Sequence, residues 1–490
     1  MRLIYTLFFL TFACAASAQN HDFHLYLGYA NGNSDPKLGG MTISFTTSPP
    51  TIYPEKKEVD FDSYTAVCSD SSGQQVLFST NGISIRNRLQ QRMQNGDTIN
   101  PGSVWQSYQH KSYPTDPWLC FLPAPGLPYH YYLIHLATQY NPSTTYVYAR
   151  RPLYYTLIDI SANNGLGKVV KKNQILVDST MNNMDIIGPA VVKHGNGRDW
   201  WLVTGRYNTN ELIVFLFSPT GISGPFIQHI GPPYPQTEGR GNPLFTPDGN
   251  TYIRSDGRNG PRIYDFDRCT GQLSNLRIVP FTYPQGFEYA VSPNSRFLYS
   301  NMIEFVVQFD LQAEDIGESM DTVAVYDGFT SPYVPWQTAF YYVGLQPDGK
   351  IYYANTTSTT ALNVINRPDL PGQACDVQQH GIILPKFNHW TMTKNPNYRL
   401  GELEGAPCDT LNAQQPSDGF VRNPYHPSAF PNDTTYRLCT PVPDKTQSPD
   451  IYFHRPPVPE PPVPATFRYM PGGVMEEERQ EWLQFYQNKH

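Results

Sequence analysis

This chain is short of charge and short of long apolar runs. Only 16% of its 490 residues are Asp, Glu, Lys or Arg, and the formal net charge is −7. So thin a distribution leaves no basic stripe and no Arg-rich arm, which excludes nucleic acid as a partner. Apart from residues 3–16, no stretch approaches the ~18 apolar residues of a membrane-crossing helix, so no transmembrane segment is expected. No C-x-x-C occurs among the seven cysteines, which argues against a zinc cluster. The chain also lacks a G-x-S-x-G elbow, an H-E-x-x-H pair, a phosphate loop and a dinucleotide fingerprint. Those absences remove the common hydrolase and nucleotide-dependent classes. The sequence assigns no catalytic residue, no metal and no cofactor.

Aromatic and turn-forming residues are abundant instead. Aromatics make up 14% of the chain, with 34 tyrosines, and there are 46 prolines and 36 glycines. Tyrosine favours pleated strands, and Pro with Gly punctuates many short ones. The N-terminus has the pattern of a secretory signal over residues 1–18. Arg2 supplies the positive region, residues 3–16 the apolar one, and Ala16-Ser17-Ala18 the small-x-small site before a cut at Gln19. Cys14 raises a lipoprotein reading, against which stand Thr11 and Phe12. Cleavage leaves Cys68, Cys120, Cys269, Cys375, Cys408 and Cys439, an even number that permits disulfides in an exported protein. Cys408 with Cys375 or with Cys439 is the local staple expected.

A turn-and-strand unit recurs. Pro347-Asp348-Gly349 precedes Ile351-Tyr352-Tyr353, and a second strand follows at Ala361 to Ile365. Pro presets φ at one turn position, Asp bonds its own backbone, and Gly accepts positive φ. Related turns lie at Gly73, Gly126, Gly197, Gly249 and Ser295. Their spacing of roughly fifty residues, with about four short strands each, is the signature of propeller blades. The fold class read here is an all-β, seven-bladed β-propeller over residues 19–411, with six or eight blades as alternatives. Residues 380–400 joined to strands near 22–47, around a turn at Asn31-Gly32-Asn33, would build the seventh blade and close the ring. Residues 48–60 and 171–190 read as loops. Residues 412–474 form a proline-rich, extended tail that includes Arg455-Pro456-Pro457, and residues 475–490 a short helix.

These same phrases carry a family resemblance. Ser69-Asp70-Ser71-Ser72-Gly73 with Leu77-Phe78-Ser79-Thr80-Asn81-Gly82 is one, and Asn163-Asn164-Gly165-Leu166-Gly167 another. Ile263-Tyr264-Asp265-Phe266-Asp267 with Thr270-Gly271, Phe287-Glu288-Tyr289 with Ser292-Pro293, Leu345 to Tyr352, Val364-Ile365-Asn366-Arg367-Pro368, and Pro396-Asn397-Tyr398-Arg399-Leu400-Gly401 followed by Cys408-Asp409-Thr410 are further ones. In this order they resemble the N-terminal β-propeller of secreted proteins of gliding-type, Bacteroidetes-like bacteria. Such proteins often carry PKD modules and a type IX sorting domain. The resemblance spans about residues 22–411 and implies a propeller in an exported protein. Neither a PKD module nor a sorting domain follows residue 411 in this chain. The family implies no reaction.

Candidate binding residues come from three places. Trp105, Tyr108 and Trp118 lie in a long polar stretch and could stack on a sugar or anchor a protein; packing beneath the loop is the simpler role. Glu288, at a blade start, could reach a central funnel, as could Glu238 and Arg240; bonding a neighbouring backbone is the simpler role for Glu288. His21 and His24 bracket Asp22, where a strand edge is a simpler reading than a metal site. Asp265 and Asp267 suit a hairpin turn better than a calcium ion. The expected function is a non-enzymatic scaffold, secreted or on the cell envelope, that binds a protein or glycan through its loops as a monomeric ring. The alternatives are a propeller enzyme, either lyase- or lactonase-like or a glycosidase, and a structural envelope component.

Overall fold

The computed structural model describes residues 19–30, 36–61, 65–113, 118–140, 148–178, 188–234, 242–254, 259–279, 288–331 and 337–409. Seven antiparallel sheets follow one another along the chain. Sheet 1 holds His24–Gly28, Gly40–Ser44 and Thr51–Pro54, and sheet 2 holds Ala66–Ser69, Val76–Thr80 and Ile85–Asn87. Sheet 3 holds Leu119–Pro123, His130–Tyr140, Tyr148–Asp159 and Lys168–Val177; sheet 4 holds Ala190–Lys193, Trp200–Gly205, Glu211–Ser218 and Gly221–His229. Sheet 5 holds Leu244–Phe245, Thr251–Arg254, Arg262–Phe266 and Leu273–Ile278; sheet 6 holds Tyr289–Val291, Phe297–Asn301, Phe305–Asp310 and Asp321–Val325. Sheet 7 holds Phe340–Leu345, Ile351–Asn355, Thr359–Ile365 and Val377–Asn388.

The turn chemistry that marks each unit is realised. Gly349 takes φ +77° while its N–H donates to Gln346 O at 3.0 Å, and Asp348 Oδ1 accepts the Lys350 N–H at 3.2 Å. Gly249 repeats the arrangement at φ +77°, and a Cβ there would come within 2.8 Å of Val192 and Leu400. Burial falls from the first strand of a sheet to the last. Ala190–Lys193 and Tyr289–Val291 are buried throughout, whereas Gly221–His229 is largely exposed. First strands therefore line the axis and fourth strands the rim.

Sheets pack face to face around a closed ring, and each junction has its own apolar cluster. Tyr26, Phe61 and Val67 join sheets 1 and 2; Cys68, Phe78, Phe121 and Leu133 join 2 and 3. Ile134 and Trp200 join 3 and 4, and Val203, Val214 and Tyr264 join 4 and 5. Ile263, Leu298 and Phe309 join 5 and 6; Tyr299, Phe340 and Tyr353 join 6 and 7. Leu25, Ile43 and Phe45 meet Tyr352, Leu362 and Val364 to close sheet 7 on sheet 1. No sheet buries both faces alone, so the ring is the smallest unit that does. The chain is a seven-bladed β-propeller.

Closure differs in detail from the expectation. Val377–Asn388 is the outer strand of sheet 7 and pairs with Thr359–Ile365, not with sheet 1. Residues 390–395 take the axial place beside sheet 1. Thr391 Oγ1 donates to Phe61 O at 2.5 Å, Thr393 Oγ1 to Thr65 O at 3.3 Å, and Gln346 Nε2 to Met392 Sδ at 3.4 Å. Met392 joins the core between sheets 7 and 1. The segment sits there without a strand ladder.

Residues 396–409 then cross the foot of the ring as a strap. Asn397 Nδ2 donates to Pro247 O at 2.7 Å, Tyr398 OH to Phe121 O at 2.5 Å, and Leu403 N to Gly195 O at 2.7 Å. This path returns Cys408 to the 267–271 turn, where it is disulfide-bonded to Cys269. Neither expected partner is used: Cys375 is a buried thiol and Cys439 lies outside the described residues. Three further expectations are corrected. Thr51–Pro54 and Lys168–Val177 are outer strands rather than loop, because a rim strand needs few apolar residues. Ser103–Tyr108 is a helix within a stretch read as irregular. The turn at Asn31-Gly32-Asn33 and the tail from residue 410 lie outside the described residues.

Candidate functional site: the loop face and the axial cavity

The helix Ser103–Tyr108 lies over the turn that ends the second strand of sheet 2. Trp105 Nε1 donates to Ile83 O at 3.1 Å, and Ser103 N donates to Gln139 Oε1 at 2.9 Å. Trp105 and Tyr108 pack, half-buried, on Ile83, Val104 and Tyr113. Tyr113 is itself fixed, donating from its OH to Thr138 O at 2.8 Å. Trp105 is thus held by a hydrogen bond and packing and Tyr108 by packing, each with part of its surface open to solvent. Trp118 does not join them. It is buried between sheets 3 and 4 and forms part of the wall of a cavity on the ring axis.

That cavity encloses about 90 Å³. First strands of sheets 4 to 7 supply its sides, and Lys394 to Asn397 its floor. Glu288 is buried just before the first strand of sheet 6. Asn242 Nδ2 donates to its Oε1 at 2.6 Å, and Lys394 Nζ pairs with its Oε2. The Glu288 N–H donates to Asn301 Oδ1 at 3.0 Å. The carboxylate therefore enters the fold already neutralised, with both oxygens engaged. Sequence reasoning singled out Glu288 but missed Lys394 and Asn242. Lys394 is 106 residues away along the chain, on a segment whose route only ring closure decides.

The foot of the ring holds a second polar cluster. Arg399, largely covered, grips the buried Asp22 with two hydrogen bonds of 2.5 and 2.9 Å. His21 Nδ1 lies 2.7 Å from Ser69 O, and His24 Nδ1 lies 2.9 Å from Ser69 Oγ. Burial lowers the pKa of both imidazoles. The Lys193 amine, buried above them, meets Gln19 Oε1. Arg268 donates to the carbonyls of Lys193, His194 and Gly401. This histidine–aspartate set is a docked strand edge, and among the described residues no group of three or more His, Cys, Asp or Glu is placed to hold a metal ion. Asp265 binds Arg277 at 2.7 Å, and Asp267 caps its own turn through Cys269 N at 2.7 Å. Glu238 and Arg240 lie outside the described residues.

The fold and these sites define a propeller with a strapped foot and an aromatic loop face. Solved structures with a related ring include a candidate 6-phosphogluconolactonase from Bacteroides fragilis, at 14% identity and TM-score 0.44, covering 77% of this chain and 99% of that one. A periplasmic gluconolactonase from Pseudomonas aeruginosa matches at 14% identity and TM-score 0.45, covering 75% of this chain and 98% of that one. A protein from Lactobacillus plantarum matches at 12% identity and TM-score 0.44, covering 75% and 98%. No protein-family model and no curated protein matches this chain.

Proposed function

We propose that this chain is an exported, monomeric propeller that binds a protein or glycan partner on its loop face and performs no chemistry on it. It works in the periplasm, on the cell surface or outside the cell. The observation that carries the reading is the seating of Trp105 and Tyr108. Both are anchored from below and open above, and a rigid aromatic gives up little conformational entropy on binding. Lys394 and Trp118, which line the axial cavity, would supply polar and apolar contacts there. Export is supported by the leader-like residues 1–18 and by the resemblance to secreted propellers.

The test is a screen of the chain against immobilised glycans and envelope proteins, beside the Trp105→Ala/Tyr108→Ala variant. Any partner captured by the native chain should bind the variant at least about tenfold more weakly. Equal binding would remove the aromatic platform from the reading. One observation favours an enzymatic alternative of lactonase-like or glycosidase kind: the buried Glu288 carboxylate pairs with Lys394, whose side of the pair lines the axial cavity. Hydrolysis of simple lactones or glycosides that Glu288→Gln abolishes would establish that alternative in place of the first.

A further inference from the structure

We propose that the exported chain begins with Gln19 in cyclised form, as pyroglutamate, and that Lys193 holds the lactam carbonyl at the foot of the ring. This rests on the export reading above, because the reaction needs the α-amine that cleavage after Ala18 releases. The α-nitrogen of Gln19 attacks the side-chain Cδ. The N–Cδ bond forms, the Cδ–Nε2 bond breaks, and Nε2 leaves as ammonia with one proton from the α-amine. No other reactant is consumed. Oε1 survives as the lactam oxygen, and it is the atom that already accepts the Lys193 N–H.

Geometry and charge converge on this end of the chain. Residues 20–22 are locked: Asn20 N donates to Ser71 O at 3.0 Å, Asn20 Nδ2 to Ser72 O at 3.4 Å, and Asp22 is gripped by Arg399. Gln19 is half-buried and its amide oxygen points at Lys193, itself only 2% exposed. Lys193, Arg268 and Arg399 concentrate positive charge here, faced by Asp22 and Glu402. Burial first, and then the Arg268 charge, hold the Lys193 amine down at about 7. A free α-ammonium on residue 19 would add another like charge beside this group. The lactam adds none and keeps the acceptor.

The test uses the full chain with its own leader, produced in a bacterial host that exports it and acid-quenched on harvest. Mass spectrometry of the N-terminal peptide should show a start at residue 19 and the loss of one ammonia. Pyroglutamyl aminopeptidase should release residue 19 readily from unfolded protein and far more slowly from folded protein. In Lys193→Met the lactam should still form but should become accessible in the folded state. Gln19→Ala should lower the thermal midpoint by about 1–2 °C. A peptide starting at residue 19 with its ammonia retained overturns the lactam alone. A peptide starting upstream overturns the cleavage site and the lactam together. Equal release from folded and unfolded protein overturns the role of Lys193.

Discussion

Lys193 shows what one residue costs a fold. Its amine ordinarily titrates near 10.5, and burial with the neighbouring Arg268 charge moves it to about 7. Below about pH 7 the folded and unfolded chains both carry the proton, and the fold bears the full penalty of a buried ammonium. Between about 7 and 10.5 the unfolded chain holds one proton more, so stability rises with pH. Lys57, lowered to about 8 by burial beside Glu55, acts in the same direction. Urea midpoints measured from pH 6 to about pH 10 should therefore climb for the native chain. Lys193→Met should be the more stable form at low pH, with its advantage shrinking as pH rises. A difference that stays constant across that range would mean that Lys193 keeps its ordinary pKa. At the axis, a similar cost is offset by pairing. Removing Lys394 alone would strand the buried Glu288 carboxylate, at about 3–5 kcal/mol, whereas Glu288→Gln/Lys394→Met should lose much less in the same urea assay.

Among the elements, the strap does the most with the least regular structure. It forms no strand, yet Tyr398 and Leu400 sit in two of the inter-sheet cores, and its far end is bonded covalently to sheet 5. The disulfide spans 139 residues, so it closes a long loop in the unfolded chain. Cys269→Ser/Cys408→Ser should lose about 2–4 kcal/mol of stability, read as a lower denaturant midpoint with an unchanged slope. An unchanged midpoint would place the strap's hold in its noncovalent contacts from Asn397 to Leu403. The outer strands show the opposite economy. Lys168–Val177 has its surface largely in solvent and holds its place by pairing with Tyr148–Asp159.

At the scale of the whole molecule, stability is a ring of seven apolar junctions, and the last joins residues from opposite ends of the chain. Residues 390–395 wedge that junction from the axis. A chain ended after Asn388 would lose both the wedge and the strap. Hydrogen exchange should then find the amides of His24–Gly28 and Phe340–Leu345 deprotected ahead of those in sheets 3 and 4. Protection equal to that of the full chain would show that sheet packing alone closes the ring.

The repeat was legible in the sequence because its signals are local. A Pro-Asp-Gly turn and the strands beside it are decided within a few residues, and Gly249 and Gly349 adopt the positive φ that such turns need. Glu288 could be suspected for the same reason, from its position at the start of a blade. What escaped sequence reading depended on partners far along the chain or on solvent-facing strands with little apolar pattern. Lys168–Val177, with three lysines, an asparagine and a glutamine amid its valines, reads largely as loop until Tyr148–Asp159 pairs with it. Cys408 lies nearer Cys375 and Cys439 in sequence, and the strap's path delivers it to Cys269 instead. Asp22 and Arg399, 377 residues apart, meet only because a ring returns its last segment to its first. Local backbone chemistry thus determined the blades and their order. Tertiary structure alone decided which charges were neutralised, which cysteines joined, and which aromatics stayed open to solvent, because each of those depends on surfaces that exist only once the ring has closed.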